Sequence, residues 1–251
     1  MLAFQELAII VLALGLGGLM KGVTGMGLPL VAVPAMASFL GVERTVLIMV
    51  VPSLVLNAVQ AVAHRDARHE VPEVARLVAS GMLGAVFGAT ILNIASERAL
   101  ATGLAAWIVV YVIWRFLHPS FELGAAARRR WSPLVGLGAG ALQAATGISA
   151  PIVAAYTDAL HLSPRAYVFA VCAAFGAFAG AHFGYLLALD IYSRDLLLQG
   201  LLAIVPALAF VPVGVWLRRF ISRRMFDMIV RLTLLAMAVR LCVGAWLIDM
   251  P

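Results

Sequence analysis

Charge is scarce in this 251-residue chain: Asp, Glu, Lys and Arg together make up 12% of it, about half the share of an ordinary soluble domain. Lysine is scarcer still, a single Lys21 against seventeen arginines. There are only two cysteines, Cys172 and Cys242, both inside apolar runs where they pack as small hydrophobes, so they indicate neither a disulfide framework nor a redox compartment. The sequence has no HExxH, no clustered Cys and His ligands, no Walker loop, no GxGxxG after a strand, and no acid pair inside an apolar run. It therefore does not read as an enzyme, and no cofactor or metal is expected. Long polar stretches are also missing, apart from residues 118–131, HPSFELGAAARRRW. No soluble domain is expected.

What is present is apolar. With 64% hydrophobic residues and a mean hydropathy of +1.04, the chain reads as an integral membrane protein. A helix crossing a hydrocarbon core of about 30 Å takes about 20 apolar residues. Runs of that length lie at 4–22, 45–63, 73–95, 99–117, 166–189, 195–217 and 225–247. These lengths suit helices, not barrel strands. The first run follows MLAFQE, with an acid and no basic residues ahead of it, and reads as a retained span, not a leader. The apolar stretches at 28–41, 132–145 and 150–160 are too short to cross and predict hairpins that meet within the membrane.

Two of these interruptions repeat each other. Thr24, Gly25, Met26, Gly27, Leu28, Pro29 is answered by Thr146, Gly147, Ile148, Ser149, Ala150, Pro151, with Gly18 and Gly140, and Lys21 and Gln143, at matching offsets. The likeness continues downstream, where Ser96–Leu100 corresponds to Ser222–Phe226 and Gly88 to Gly214. The fold expected is all-α: two inverted repeats, each with four spanning-type helices and a broken, re-entrant helical hairpin. Residues 1–117 form the first repeat, 118–131 a basic cytoplasmic linker, and 132–251 the second. Paired helix breaks in corresponding places of two halves point to a transporter's binding site.

Loop arginines set the orientation. If each interrupted segment crosses once, seven arginines fall on each side; if each turns back, eleven gather on one side, including Arg65, Arg128 and Arg165, and Arg44, Arg98 and Arg194 remain on the other. Positive charge favours the cytoplasmic side. The hairpin arrangement follows, with both termini outside a cell (plasma or inner) membrane. The basic net charge of +6 is thus a topology signal, and no nucleic-acid partner is expected.

At each break, proline stands where its missing N–H is not needed. Half-helix N-termini carry about half a positive charge each, so two that face one another suit an anion. Thr24, Thr146 and Ser149 add hydroxyls, and Gly25, Gly27 and Gly147 permit close backbone approach; Met26 and Ile148 occupy the remaining places. Lys21 is the one full charge nearby. It reads either as a ligand contact or as a snorkelling helix-end residue. Gln143 is its uncharged counterpart. Asn57 shares a helix face with Gln60 and either lines the cavity or bonds to another helix. His182, with Tyr185 three residues on, is a candidate for carrying a coupled proton or is a packed histidine. Arg240 lies deep in the last span, where it either contacts an anion or reaches the outer interface. The glycines at 81, 84 and 88, and at 176, 180 and 184, read as helix-packing positions.

The segments GLGGLMKGVTGMGLPLVAVPAM and GLGAGALQAATGISAPIVAAYTDAL resemble the duplicated signature of the TauE/SafE family, the sulfite-exporter-like membrane permeases, and the resemblance covers essentially the whole chain. It implies export or uptake of a small anion, commonly a sulfur-containing oxyanion or an organosulfonate such as sulfite or sulfoacetate. Residues and resemblance together give a secondary transporter working by alternating access, one half rocking on the other, with the ligand held at the two helix breaks. Its partners are the small anion, the lipid bilayer and a candidate coupling proton, with the oligomeric state open. The alternatives are an anion channel, or a membrane-embedded enzyme or assembly factor.

Overall fold

A computed structural model describes residues 4–24, 28–117, 125–220 and 223–247. Among them the chain is entirely helical: α1 (Phe4–Thr24), α2 (Leu28–Leu40), α3 (Val42–Ala63), a 3₁₀ turn (Arg65–Glu70), α4 (Val74–Ile94), α5 (Glu97–Leu117), α6 (Ala125–Thr146), α7 (Ala150–Asp158), α8 (Pro164–Ala188), α9 (Arg194–Leu217) and α10 (Arg223–Leu247). Five helices among the described residues, α1, α3, α4, α8 and α9, are long and apolar enough to cross a membrane. The chain is a multi-pass membrane protein. Its outward faces carry Leu12, Leu83, Phe87, Leu202, Val205 and Trp216, which suits lipid contact.

Helix bounds follow the apolar runs except at α6. That helix starts at Ala125, inside the stretch expected as linker, because Ala-Ala-Ala-Arg-Arg-Arg has high helix propensity although it is not apolar. α2 and α7 are the short elements, 13 and 9 residues, or about 20 and 14 Å of helix. Pro151 sits in the first turn of α7 and Pro29 is the second residue of α2, positions where a helix loses no bond to proline.

Packing divides the bundle into two lobes that do not coincide with the two halves of the sequence. α1, α2 and α3 are completed by α9, and α6, α7 and α8 by α4. One apolar cluster draws mainly on α1, α2, α3, α5, α9 and α10; the other draws only on α4, α6, α7 and α8. The lobes meet chiefly where α3 lies on α8.

Both exchanged helices are seated by glycine. A Cβ on Gly88 or Gly84 of α4 would strike the carbonyls of Ala141 and Leu137 in α6, and one on Gly140 would strike that of Gly81. On the other side, Cβ atoms on Gly18, Gly22 and Gly214 would strike the carbonyls of Ala207, Val211 and Leu19 at the α1–α9 contact. These pairs approach backbone to backbone, as small residues allow in membranes. Gly81 also receives the ring of Phe178. The second glycine series behaves differently: Gly176 and Gly180 have only ordinary contacts, and nothing lies within 4 Å of a Cβ built on Gly184.

Helix ends are tied in two sets. Arg44 at the start of α3 pairs with Glu6 at the start of α1 at 2.8 Å and reaches Gln199 in α9. The Glu97 carboxylate accepts the Val42 and Glu43 amides, capping α3 from the start of α5, and Arg98 stacks on Trp246 near the end of α10. In the other set, Arg165 at the start of α8 meets Asp66 of the 3₁₀ turn at 3.3 Å, and the Ser132 hydroxyl reaches the Glu73 carbonyl at the start of α4.

The glycine contacts give a direct expectation. Gly88→Val lowers stability in detergent by about 1–3 kcal/mol, the usual cost of overpacking, whereas Gly103→Ala, with nothing within 4 Å, does not. Thermal unfolding curves of the two variants check this, and an unshifted Gly88→Val would contradict the backbone contact.

Candidate functional site

The last turn of α1 brings Lys21 inward, 6% exposed, and its Nζ donates to Asn57 Oδ1 at 3.2 Å. Asn57 is held in that orientation by its own helix, because Nδ2 donates to the Ser53 carbonyl at 2.7 Å and lies 3.4 Å from the Ser53 hydroxyl. The amide oxygen is thereby left for Lys21. One turn of α3 thus fixes the cation's partner.

From the other sequence half, α6 ends at Thr146 and α7 begins at Ala150. Gly147 takes φ of +76° and its N–H donates to the Gln143 carbonyl at 2.8 Å. This left-handed turn suits glycine. The Thr146 hydroxyl donates to the Leu142 carbonyl at 2.7 Å and accepts the Ile148 amide at 3.3 Å, while Trp107 Nε1 donates to the Ile148 carbonyl at 3.0 Å. Ser149 is the N-cap residue of α7 but makes no side-chain cap. Its hydroxyl donates instead to Gln143 Oε1 at 2.8 Å, and Gln143 Nε2 donates to the Phe175 carbonyl at 3.3 Å.

These groups enclose one cavity of about 20 Å³, lined by Lys21, Leu28, Pro29, Ser53, Leu56, Asn57, Gln143, Gly147, Ser149, Ala150 and Phe175. That is room for about one water-sized occupant. No acidic residue is in the lining, and the start of α7 adds its partial positive charge to that of Lys21. A second small cavity adjoins it through Pro29, Ser53, Gln143 and Gly147 and ends at Val46, Met49, Val50, Ala179 and His182.

Of the residues singled out in the sequence, Lys21, Asn57, Gln143, Gly147 and Ser149 line the first cavity, and Gln143, Gly147 and His182 the second. Thr146 and Ile148 stand beside them without lining either; Thr146 spends its hydroxyl on the turn, and the Ile148 side chain is in the apolar core. Thr24 ends α1, and Gly25, Met26 and Gly27 lie outside the described residues. Gln60 is away from both linings and accepts from Cys172 Sγ at 3.1 Å. Tyr185 shares a 2.8 Å hydrogen bond with Thr90. Arg240 is not at the cavities either, since its guanidinium lies 3.7 Å from the centre of the Phe39 ring. Sequence reasoning missed Ser53, Phe175 and Trp107. Ser53 carried a signal, being one turn before Asn57 on the same face. The other two carried none. Among the described residues no three of His, Cys, Asp and Glu converge as metal ligands would.

A cavity with a buried lysine and no acid, set among membrane helices, is compatible with several anion-handling families. The family model described as "Sulfite exporter TauE/SafE" matches residues 9–241. The chain belongs to the sulfite exporter TauE/SafE family. No curated protein and no solved structure matches it significantly. For this TauE/SafE member, membership makes it a membrane transporter of the sulfite-exporter kind, and the two cavities are its candidate ligand site.

The turn between α6 and α7 is constrained enough to predict the effect of one methyl group. Gly147→Ala forces a side chain into a positive-φ position and brings Cβ to 2.8 Å from Val33 Cγ2, so it costs about 1–3 kcal/mol. A lowered unfolding midpoint in detergent is the expected readout; a midpoint equal to wild type would mean that the turn is not held as described.

Proposed function

We propose that this TauE/SafE protein is a secondary transporter that carries a small anion, a sulfur-containing oxyanion or organosulfonate, by alternating access, with the ligand held where the two interrupted helices meet. The observation that carries the reading is the convergence of Lys21 and Asn57 from the first sequence half with Gln143, Gly147 and Ser149 from the second on one acid-free cavity. Lys21 supplies a charge, the start of α7 a partial charge, and the second N–H of Gln143 Nε2 a directional hydrogen bond, with Ser149 holding that amide by donating to its Oε1. A charge-assisted bond in a dry site is roughly twice as strong as a neutral one.

Contacts also support the inverted repeat with a re-entrant hairpin in each half. The Arg44–Glu6 pair brings the start of α3 beside the start of α1, as it must if α1 and α2 go in and return. Asp66–Arg165 and Ser132–Glu73 gather the starts of α4, α6 and α8 in the same sense. The glycine contacts correspond between halves: Gly18 on Ala207 mirrors Gly140 on Gly81, and Gly214 on Leu19 mirrors Gly88 on Ala141. In each case residues at matching repeat positions exchange partners. The arginine distribution then sets both termini outside the cell membrane.

Alternating access in this fold moves lobes, not sequence halves. Rocking residues 1–117 against 132–251 would tear the glycine seats of α4 on α6 and α1 on α9. The α3–α8 seam has no such interlocked backbones: Gly176 and Gly180 there make only ordinary contacts. It also contributes Ser53, Asn57 and Phe175 to the site. Opening the seam toward one face and then the other exposes the ligand alternately.

Lys21→Met removes the cation while keeping an apolar stem of similar length. The expected result is a loss of affinity of about 10- to 100-fold, the worth of a charged hydrogen bond, with sulfite, sulfoacetate or sulfate as probes in a thermal-shift titration of purified protein. Saturable uptake into proteoliposomes is expected of wild type. Unchanged affinity in Lys21→Met would remove the residue from the site, and non-saturating conductance would favour a channel.

A further inference from the structure

The second cavity holds a group that the anion site alone does not account for. His182 on α8 is 2% exposed and lines a cavity, and its Nε2, itself fully enclosed, has no hydrogen-bond partner among the described residues. Burying a polar nitrogen unpaired is costly, and a purely packing role would be filled better by an apolar ring. The cavity that it faces shares Pro29, Ser53, Gln143 and Gly147 with the cavity of Lys21. His182 and Lys21 thus line two neighbouring cavities with four lining residues in common.

We propose that the His182 cavity is a proton-binding subsite, and that the protein loads one proton together with the anion. This rests on the anion reading of the Lys21 cavity. In the neutral ring one nitrogen carries the hydrogen and the other a lone pair; the lone pair takes one proton from the aqueous side to which the site is open, and on release to the opposite side the same N–H bond breaks and the proton leaves with the anion. The lining of the His182 cavity offers an imidazolium no counter-charge. An anion seated in the neighbouring Lys21 cavity supplies one, and by linkage the proton then strengthens anion binding by the same factor. The two cargoes thus load and leave together.

The other ionisable group in the two linings is Lys21, which donates to Asn57. On the elements packed against α8, Glu43, Arg44 and His64 stand at the ends of α3, Arg76 in the first turn of α4, Arg128, Arg129 and Arg130 in the first turns of α6, and Asp158 at the end of α7. The charged residues of the 3₁₀ turn are exposed, with Asp66 pairing to Arg165 of α8. Tyr156 of α7 is buried outside both linings, Tyr185 of α8 is bonded to Thr90 of α4, and Cys172 is bonded to Gln60 of α3.

The test is calorimetry of the purified full chain in two buffers of different ionisation enthalpy, with the tightest binder among sulfoacetate, isethionate and sulfate, none of which takes up a proton near neutral pH. Wild type is expected to take up about one proton per anion, and its affinity to fall up to about tenfold per pH unit as the pH is raised through the titration. His182→Gln should bind with no proton uptake and a flat profile over that range. Uptake that persists in His182→Gln, or wild-type binding with none, overturns the proposal and leaves the anion reading standing. If His182→Gln does not fold, His182→Asn takes its place in the same comparison. Absence of binding by all three probes in wild type overturns both.

Discussion

Hydrocarbon offers no water to an unpaired peptide group, and each one left bare there costs several kcal/mol. That constraint organises this protein around the gap between α6 and α7. Three of the four peptide groups of residues 147 and 148 have named partners: the Gly147 amide bonds the Gln143 carbonyl, the Ile148 amide Thr146, and the Ile148 carbonyl Trp107 from the first half. Once the turn is satisfied from within, the first residues of α7 stay in the interior, and the charge at its start is available to a cavity instead of to solvent. The side chains of Ser149 and Gln143 bond each other and keep polar groups pointing at that space.

The same economy explains the lobes. Glycine contacts weld α4 to α6 and α1 to α9 more closely than side-chain packing would, so that each lobe borrows a helix from the opposite end of the sequence. At the seam between α3 and α8, Gly176 and Gly180 make only ordinary contacts. The site residues are distributed across it, with Lys21, Ser53 and Asn57 on one side and Gln143, Ser149, Phe175 and His182 on the other. In the proposed mechanism a ligand at this seam feels every change in its width, which would link binding to motion.

Much of this was legible in the sequence, for identifiable reasons. Apolar runs mark helices because lipid penalises anything else, so most helix bounds agree within a few residues; the start of α6 was hidden because Ala and Arg form helix without being apolar. Lys21, Gln143 and Ser149 stood out as polar residues beside glycine in otherwise apolar surroundings. The roles of Phe175 and Trp107 were not legible, since an aromatic residue in a membrane helix looks the same whether it faces lipid or supports a turn. The exchange of helices between lobes was hidden too: it is a property of which glycines meet, and spacing alone does not name partners. Gly184 illustrates the converse, a glycine at packing distance in sequence with nothing packed on it.

The central claim is that one anion sits between the ammonium of Lys21 and the start of α7. The most direct measurement is the anomalous scattering of selenium in crystals of the protein soaked with selenite, a heavier analogue of sulfite. The account predicts a single selenium peak within hydrogen-bonding reach of Lys21 Nζ and Ser149 Oγ. A peak elsewhere in the bundle, with none at this position, would contradict it.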